Sequence, residues 1–197
     1  DSTETSALLF FVRQYNRIKN YHKAVLFANK VITIDPDNGQ AYLEKGKALF
    51  KLKKYKEAES SLKRSVDLIK NSSVPTRLIG DIYVKQNQMS KAAEFYETAL
   101  KSNPNDYRLL LETVNTWETN KNYKRALALL QNAENSFPDS LIIQKKMAQF
   151  YYAIGDTANT LFYGEKYHSK NLKDTDVLLI LGDIYTKKGN YDKAFYM

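Results

Sequence analysis

Residues of the same type recur along this chain at a spacing of 34, with no insertion or deletion, and no other feature constrains the fold as tightly. The stretch 74–104 carries the pattern best, in Gly80, Tyr83, Ala92, Tyr96, Ala99 and Pro104. The same offsets give Gly46, Leu49, Ala58, Leu62 and Ser65 on one side, and Val114, Trp117, Ala126, Leu130, Ala133 and Pro138 on the other. With Gly80 at position 8, units run over 5–38, 39–72, 73–106, 107–140, 141–174 and an incomplete 175–197. Position 20 then reads Ala24, Ala58, Ala92, Ala126, Thr160 and Ala194, and position 11 reads Tyr15, Leu49, Tyr83, Trp117, Tyr151 and Tyr185. Position 32 reads Pro36, Lys70, Pro104, Pro138 and Leu172.

Each unit predicts two antiparallel helices. Apolar residues from Ala41 to Leu52 keep helical spacing, and Tyr55 to Leu68 repeat it after Lys53 and Lys54. Small residues at fixed positions let helix axes approach to about 8–10 Å, and the bulky positions fill the space beside them. Proline at the unit end cannot continue a helix and sets the turn into the next unit. The fold class is all-α, an array of helix pairs occupying one domain over 1–197. Unit five departs from the pattern: Thr160, Gly164 and Tyr167 exchange small and large residues, which predicts altered packing and, at Gly164, close approach of a neighbouring helix or a bend.

The period, the Gly/Ala/aromatic positions and the terminal proline resemble the tetratricopeptide repeat, a helix-turn-helix unit of the same length, over residues 5–197. The resemblance implies a right-handed alpha-alpha superhelix, or solenoid, of about six units, with the first helix of each unit lining a concave groove. It also implies a non-enzymatic scaffold or adaptor that binds protein partners.

Composition narrows the alternatives. The longest apolar run, Ala7 to Val12, is far shorter than the ~20 residues of a spanning helix, so no transmembrane segment is expected. The chain does not begin with Met and stops inside a unit, which reads as an excised or processed chain from which a targeting segment could be missing. The compartment stays open, with a soluble, cytoplasmic chain slightly favoured. There are no cysteines, so thiolate metal and disulfide chemistry are excluded. The net charge of +8 is uneven: residues 1–104 carry 18 Lys/Arg against 11 Asp/Glu, and residues 105–197 carry 12 against 11. Lys outnumbers Arg 24 to 6, which argues against nucleic-acid readout, since bidentate Arg is its preferred reader.

No catalytic, cofactor or metal constellation emerges. His22, placed in a turn, and His168 lack a partner at metal-ligand spacing. The run 35–39 resembles a calcium loop only faintly, because its Gly falls one place early and Gly46 stands where the bidentate Glu belongs.

The candidate partner-binding residues lie on the first helices. Positions 2, 5, 9, 12 and 13 are three or four residues apart and share a face, which the family resemblance turns toward the groove. In units one to three this face gives Leu9, Arg13 and Arg17; Leu43, Lys47, Phe50 and Lys51; and Val74, Arg77, Asp81, Val84 and Lys85, alternating basic and apolar. Asn115 and Tyr152 are the candidates in the more neutral later units. The expected partner is a protein presenting an acidic and apolar extended segment or helix. No register supplies the Lys/Asn/Asn/Lys/Arg set with which chaperone-binding relatives hold a terminal carboxylate, so a chaperone C-terminal tail is disfavoured. Two alternatives stand beside this reading. One is self-association through the terminal repeat face of Leu178, Leu181 and Tyr185; the other is RNA or anionic-surface binding through the basic N-terminal half.

Overall fold

A computed structural model describes residues 2–195, and among them every regular element is an α-helix. In order these are α1 (Ser2–Arg17), α2 (Tyr21–Ile34), α3 (Gly39–Lys51), α4 (Tyr55–Leu68), α5 (Ser73–Lys85) and α6 (Met89–Ser102). They continue as α7 (Tyr107–Thr119), α8 (Tyr123–Glu134), α9 (Leu141–Ala153), α10 (Thr157–His168), α11 (Thr175–Lys187) and α12 (Tyr191–Phe195). His22, expected in a turn, lies in the first turn of α2 and is exposed.

The chain forms two compact bodies, the first ending at Leu109 and the second beginning at Leu110. In the first body α1/α2, α3/α4 and α5/α6 pack as hairpin pairs, α2 lies on α3 and α4 on α5, and α1, α3 and α5 neighbour one another in sequence. In the second, α9/α10 and α11/α12 are pairs, α8 lies on α9, α10 on α11, and α9 neighbours α11.

The small residues mark where the helices of a pair meet. Ala24, Ala58, Ala92 and Ala126 are fully buried. A Cβ placed on Gly46 would sit 2.6 Å from Leu62 Cδ2, and one on Gly80 would sit 2.4 Å from Tyr96 Cε1 and 3.2 Å from the carbonyl oxygen of Ala92. The glycine at position 8 therefore makes the room that the bulky residue at position 24 occupies. In α10 the bulky residue is absent, and the space beside Gly164 is filled from the next helix pair, with Leu181 Cδ2 2.8 Å from where a Cβ would be. The expected close approach at Gly164 is thus made by α11.

The turn between paired helices is a backbone motif repeated in every unit. Position 15 is left-handed throughout, at Lys19, Lys53, Asn87, Lys121, Gly155 and Gly189, with φ between 55° and 79°. The next N–H donates to the carbonyl of position 11, as in Asn20 to Tyr15 at 2.8 Å and Lys54 to Leu49 at 2.9 Å. This is a Schellman closure, which satisfies carbonyls that the helix end leaves open. The following helix is capped by the side chain at position 16 where that residue is Asn20, Asn122, Asp156 or Asn190; Lys54 and Gln88 make no such cap. Lys19, Lys53 and Lys121 hide this turn in the sequence, because lysine is an unusual occupant of left-handed backbone.

Gly80 and Gly182 share position 8 but differ in surroundings: among the described residues, a Cβ on Gly182 would meet the Ala194 carbonyl oxygen alone, at 4.0 Å. Helix propensity favours alanine by about 1 kcal/mol at both, while overpacking costs about 1–3 kcal/mol. Gly182→Ala is therefore expected to raise the melting temperature and Gly80→Ala to lower it, as thermal denaturation of the two variants would report.

Candidate partner-binding face

In the first body the face expected to line the groove lies on α1, α3 and α5, which neighbour one another. Arg13 and Arg17 are exposed on α1 and Leu9 is half-buried. On α3, Phe50 is half-buried with its ring 5.9 Å from that of Tyr55, and the Lys51 ammonium lies 5.7 Å from the Phe50 ring centre. On α5, Val74 is 45% exposed, Arg77, Asp81 and Val84 are half-buried, and Lys85 is exposed. Leu43, expected on this face, is a correction: it is 5% exposed and packs in the core with Leu49, Ala58, Leu62, Ile79 and Ile82. On α3, position 5 therefore faces the interior.

A residue outside the sequence-derived set organises this face. Glu44 is 8% exposed, and its carboxylate accepts from Asn16 Nδ2 at 2.8 Å and from Lys47 Nζ at 2.8 Å. Asn16 also donates to the Glu44 backbone carbonyl at 3.1 Å, tying α1 to α3. A buried carboxylate needs such donors, and it claims Lys47 from the groove set. The only signal in the sequence was Glu44 one position after an apolar groove residue, three before Lys47. On α5, Asp81 accepts from Tyr96 at 2.6 Å. After these internal pairings Arg13, Arg17, Lys51 and Lys85 make no ion pair among the described residues.

The second body treats its charges differently. Lys145 Nζ lies 2.8 Å from Asp174 and 3.0 Å from Asp176, Lys146 lies 2.6 Å from Glu118, and Lys187 lies 2.7 Å from Asp183. Tyr152 is 39% exposed, donates to Asp183 at 2.8 Å and has the Lys187 ammonium 5.9 Å from its ring centre. Asn115 is exposed on α7. A cavity of about 200 Å³ lies beside α9, lined by Leu141, Ile142, Gln149, Tyr167, Asn171 and the two lysines Lys145 and Lys146, whose charges are already met. The self-association face named from sequence is also corrected, since Leu181 is 0% and Tyr185 4% exposed. They pack back on Tyr167 and Val177, because positions 7 and 11 face the preceding pair; Leu179, Tyr191 and Phe195 are the apolar side chains left in solvent.

Tyrosine–carboxylate bonds recur between pairs. Tyr83 donates to Glu59 at 2.8 Å, and Tyr185 donates to Glu165. Burial pushes the Tyr185 hydroxyl up to about 12, with the Glu165 bond adding to it. For Asp174 burial acts upward, but the bonds from Lys145 and Tyr167 outweigh it and hold the carboxyl below its ordinary range. Asp174 also caps α11 by accepting from the Val177 N–H.

Helix pairs stacked at a fixed period, with no strand among the described residues, define a helical-repeat protein. Models of the tetratricopeptide repeat match residues 39–72, 77–140 and 175–195, and the chain belongs to the tetratricopeptide repeat family. It is 36% identical over 81 residues to Protein SGT1 homolog of Oryza sativa subsp. japonica, which is 40% of this chain. The match spans only about a fifth, 22%, of that relative's length. Among solved structures it is similar to one in the structure of Naa15/Naa10 bound to HypK-THB, with a TM-score of 0.78 and 18% identity over 97% of this chain and 30% of that one. It is similar too to YrrB, a TPR protein with an unusual peptide-binding site, with a TM-score of 0.64 and 16% identity over 87% of this chain and 88% of that one. At such identities the likeness is one of fold. The fold is a protein-interaction scaffold, and no helix among the described residues is long and apolar enough to cross a membrane.

The depressed Asp174 carboxyl carries a pH signature. Its contribution to stability is present above the unfolded-state value, about 4, and is lost as pH falls through the lower folded value. Asp174→Asn keeps a capping side chain but removes the charge, so it is expected to cost about 1–2 kcal/mol near neutral pH. The melting-temperature gap to the parent chain should close as the pH falls below the carboxylate range; a gap that is independent of pH would contradict the assignment.

Proposed function

We propose that the chain is a non-catalytic adaptor whose first body takes a protein segment bearing acidic and apolar side chains on the face of α1, α3 and α5. The observation that carries this reading is the difference in charge pairing. Arg13, Arg17, Lys51 and Lys85 are unpaired among the described residues, whereas Lys145, Lys146 and Lys187 of the second body are neutralised by neighbouring carboxylates. Unpaired cations beside the half-buried Phe50 and Val84 and the exposed Val74 offer a partner both steering and anchorage. Lys47 and Asp81, each with an internal bond, orient this face, and Arg77 lies among them. The structures with similar folds include one whose complex contains HypK-THB and one with a peptide-binding site, which fits a peptide-accepting role here.

The anchor and the charges make separable contributions. Burying an aromatic side chain contributes about 1.5–3 kcal/mol, against about 0–1 kcal/mol for each exposed ion pair. The partner is obtained by affinity capture with the full-length protein and mass spectrometry, then measured against purified variants. Phe50→Ala is expected to weaken its binding at least about tenfold, mainly through dissociation, and Arg13→Glu to slow association in a salt-dependent way. Unchanged affinity in both variants would place the binding face elsewhere.

A further inference from the structure

The basic charge of the chain is concentrated on the turns between paired helices. The six segments 17–23, 51–57, 85–91, 119–125, 153–159 and 187–193 hold 15 of the 30 Lys/Arg but only 3 of the 22 Asp/Glu, so the remainder of the chain is net acidic. In the first body the three such segments hold nine cations and one carboxylate, Glu57, which Lys54 meets at 3.3 Å. Arg17, Lys51 and Lys85 are the last residues of α1, α3 and α5, occupy the same register position, and stand on successive neighbouring helices. Lys19 and Lys53 follow two residues later in left-handed backbone. All five are exposed and none makes an ion pair among the described residues.

Helix-dipole stabilisation explains this row incompletely. A cation in the last helical turn does favour the helix, but α7 and α9 end without one. It also gives no reason for Lys19 and Lys53, since left-handed backbone disfavours any side chain with a Cβ, and the same turn is made with glycine at Gly155 and Gly189. Three units thus retain lysine where the backbone favours glycine, and two of these lysines, Lys19 and Lys53, stand beside the row of unpaired cations.

We infer that this turn-side rim is a charge ladder for an extended polypeptide with carboxylates at every third residue, Arg17, Lys51 and Lys85 each meeting one and Lys19 and Lys53 forming an outer row. The spacing follows from geometry. Neighbouring packed helices lie about 8–10 Å apart, and a chain in the polyproline II conformation advances about 3.1 Å per residue with three residues per turn, so every third side chain returns to the same face one step along the ladder. Phe50 and Val84 precede Lys51 and Lys85 in sequence and call for apolar side chains between the acids, which a sugar-phosphate backbone does not provide. The inference rests on the proposed binding face and specifies its ligand.

The test uses the full chain and two synthetic peptides of equal composition, one with a carboxylate at every third residue among leucines and one with the acids shuffled, measured by fluorescence anisotropy across a salt series. The evenly spaced peptide is expected to bind more tightly. That preference should vanish in the Lys51→Gln/Lys85→Gln variant with a loss of about tenfold, and fade as salt rises. Lys53→Gly should raise the melting temperature while weakening the peptide, a pairing that a purely structural lysine would not give. Equal binding of the two peptides, with both lost in Phe50→Ala, overturns the ladder and leaves the binding face standing. Indifference of both peptides and of the captured partner to every variant overturns the binding face itself. Tighter, rim-dependent binding of polyuridylate or phosphatidylserine vesicles than of the evenly spaced peptide overturns the polypeptide assignment.

Discussion

The contact on which the architecture depends is the crossing of the two helices of a pair at positions 8 and 20. Glycine at 46 and 80 opposes alanine at 58 and 92, and a Cβ on Gly80 would lie only 3.2 Å from the Ala92 carbonyl oxygen. With the backbones that close, the bulky residue at position 24 folds over the glycine, and the helix surfaces are dry and rigid enough to be stacked. Gly164 shows the constraint from the other side. With no large residue at its own position, α10 borrows Leu181 from the following pair, so the close packing survives a change in which pair supplies the side chain.

A scaffold of this kind leaves one set of surfaces to structure and another to recognition, and charge separates them. The carboxylates near the groove of the first body are occupied internally, Glu44 by Asn16 and Lys47 and Asp81 by Tyr96. The cations next to them are left over. In the second body Lys145 is held by Asp174 and Asp176 across α9 and α11. The same repeat unit therefore leaves Arg17, Lys51 and Lys85 without an ion pair among the described residues in the first body and holds Lys145, Lys146 and Lys187 by carboxylates in the second, without any change in fold.

The helix pairs were legible in the sequence because packing distance writes itself as residue size at fixed spacing: Ala58 and Ala92 are small for the same reason, and Tyr15, Tyr83 and Trp117 are large for the same reason. The groove set was only partly legible. Leu43 has the spacing of a groove residue, but spacing does not report helix rotation, and the side chain turned inward. Leu181 and Tyr185 were read as open because position in the chain says nothing about which neighbour a face packs against; they pack backward, on Tyr167. Glu44 was passed over because a lone acidic residue is ordinary on a helix, and only the approach of Asn16 from α1 makes it a junction. The left-handed lysines were invisible for the opposite reason, since composition predicts glycine there and the backbone holds Lys19 and Lys53 all the same.

The central proposal is spatial: partner contact falls on the groove and turn-side rim of α1, α3 and α5. The most direct measurement is backbone amide mapping by NMR of the isotopically labelled chain, with and without its captured partner. Perturbed amides clustered at Arg13, Arg17, Phe50, Lys51, Val84 and Lys85, with the outward face of α2, α4 and α6 unchanged, are the predicted result. Perturbations confined to that outward face or to the second body would contradict it.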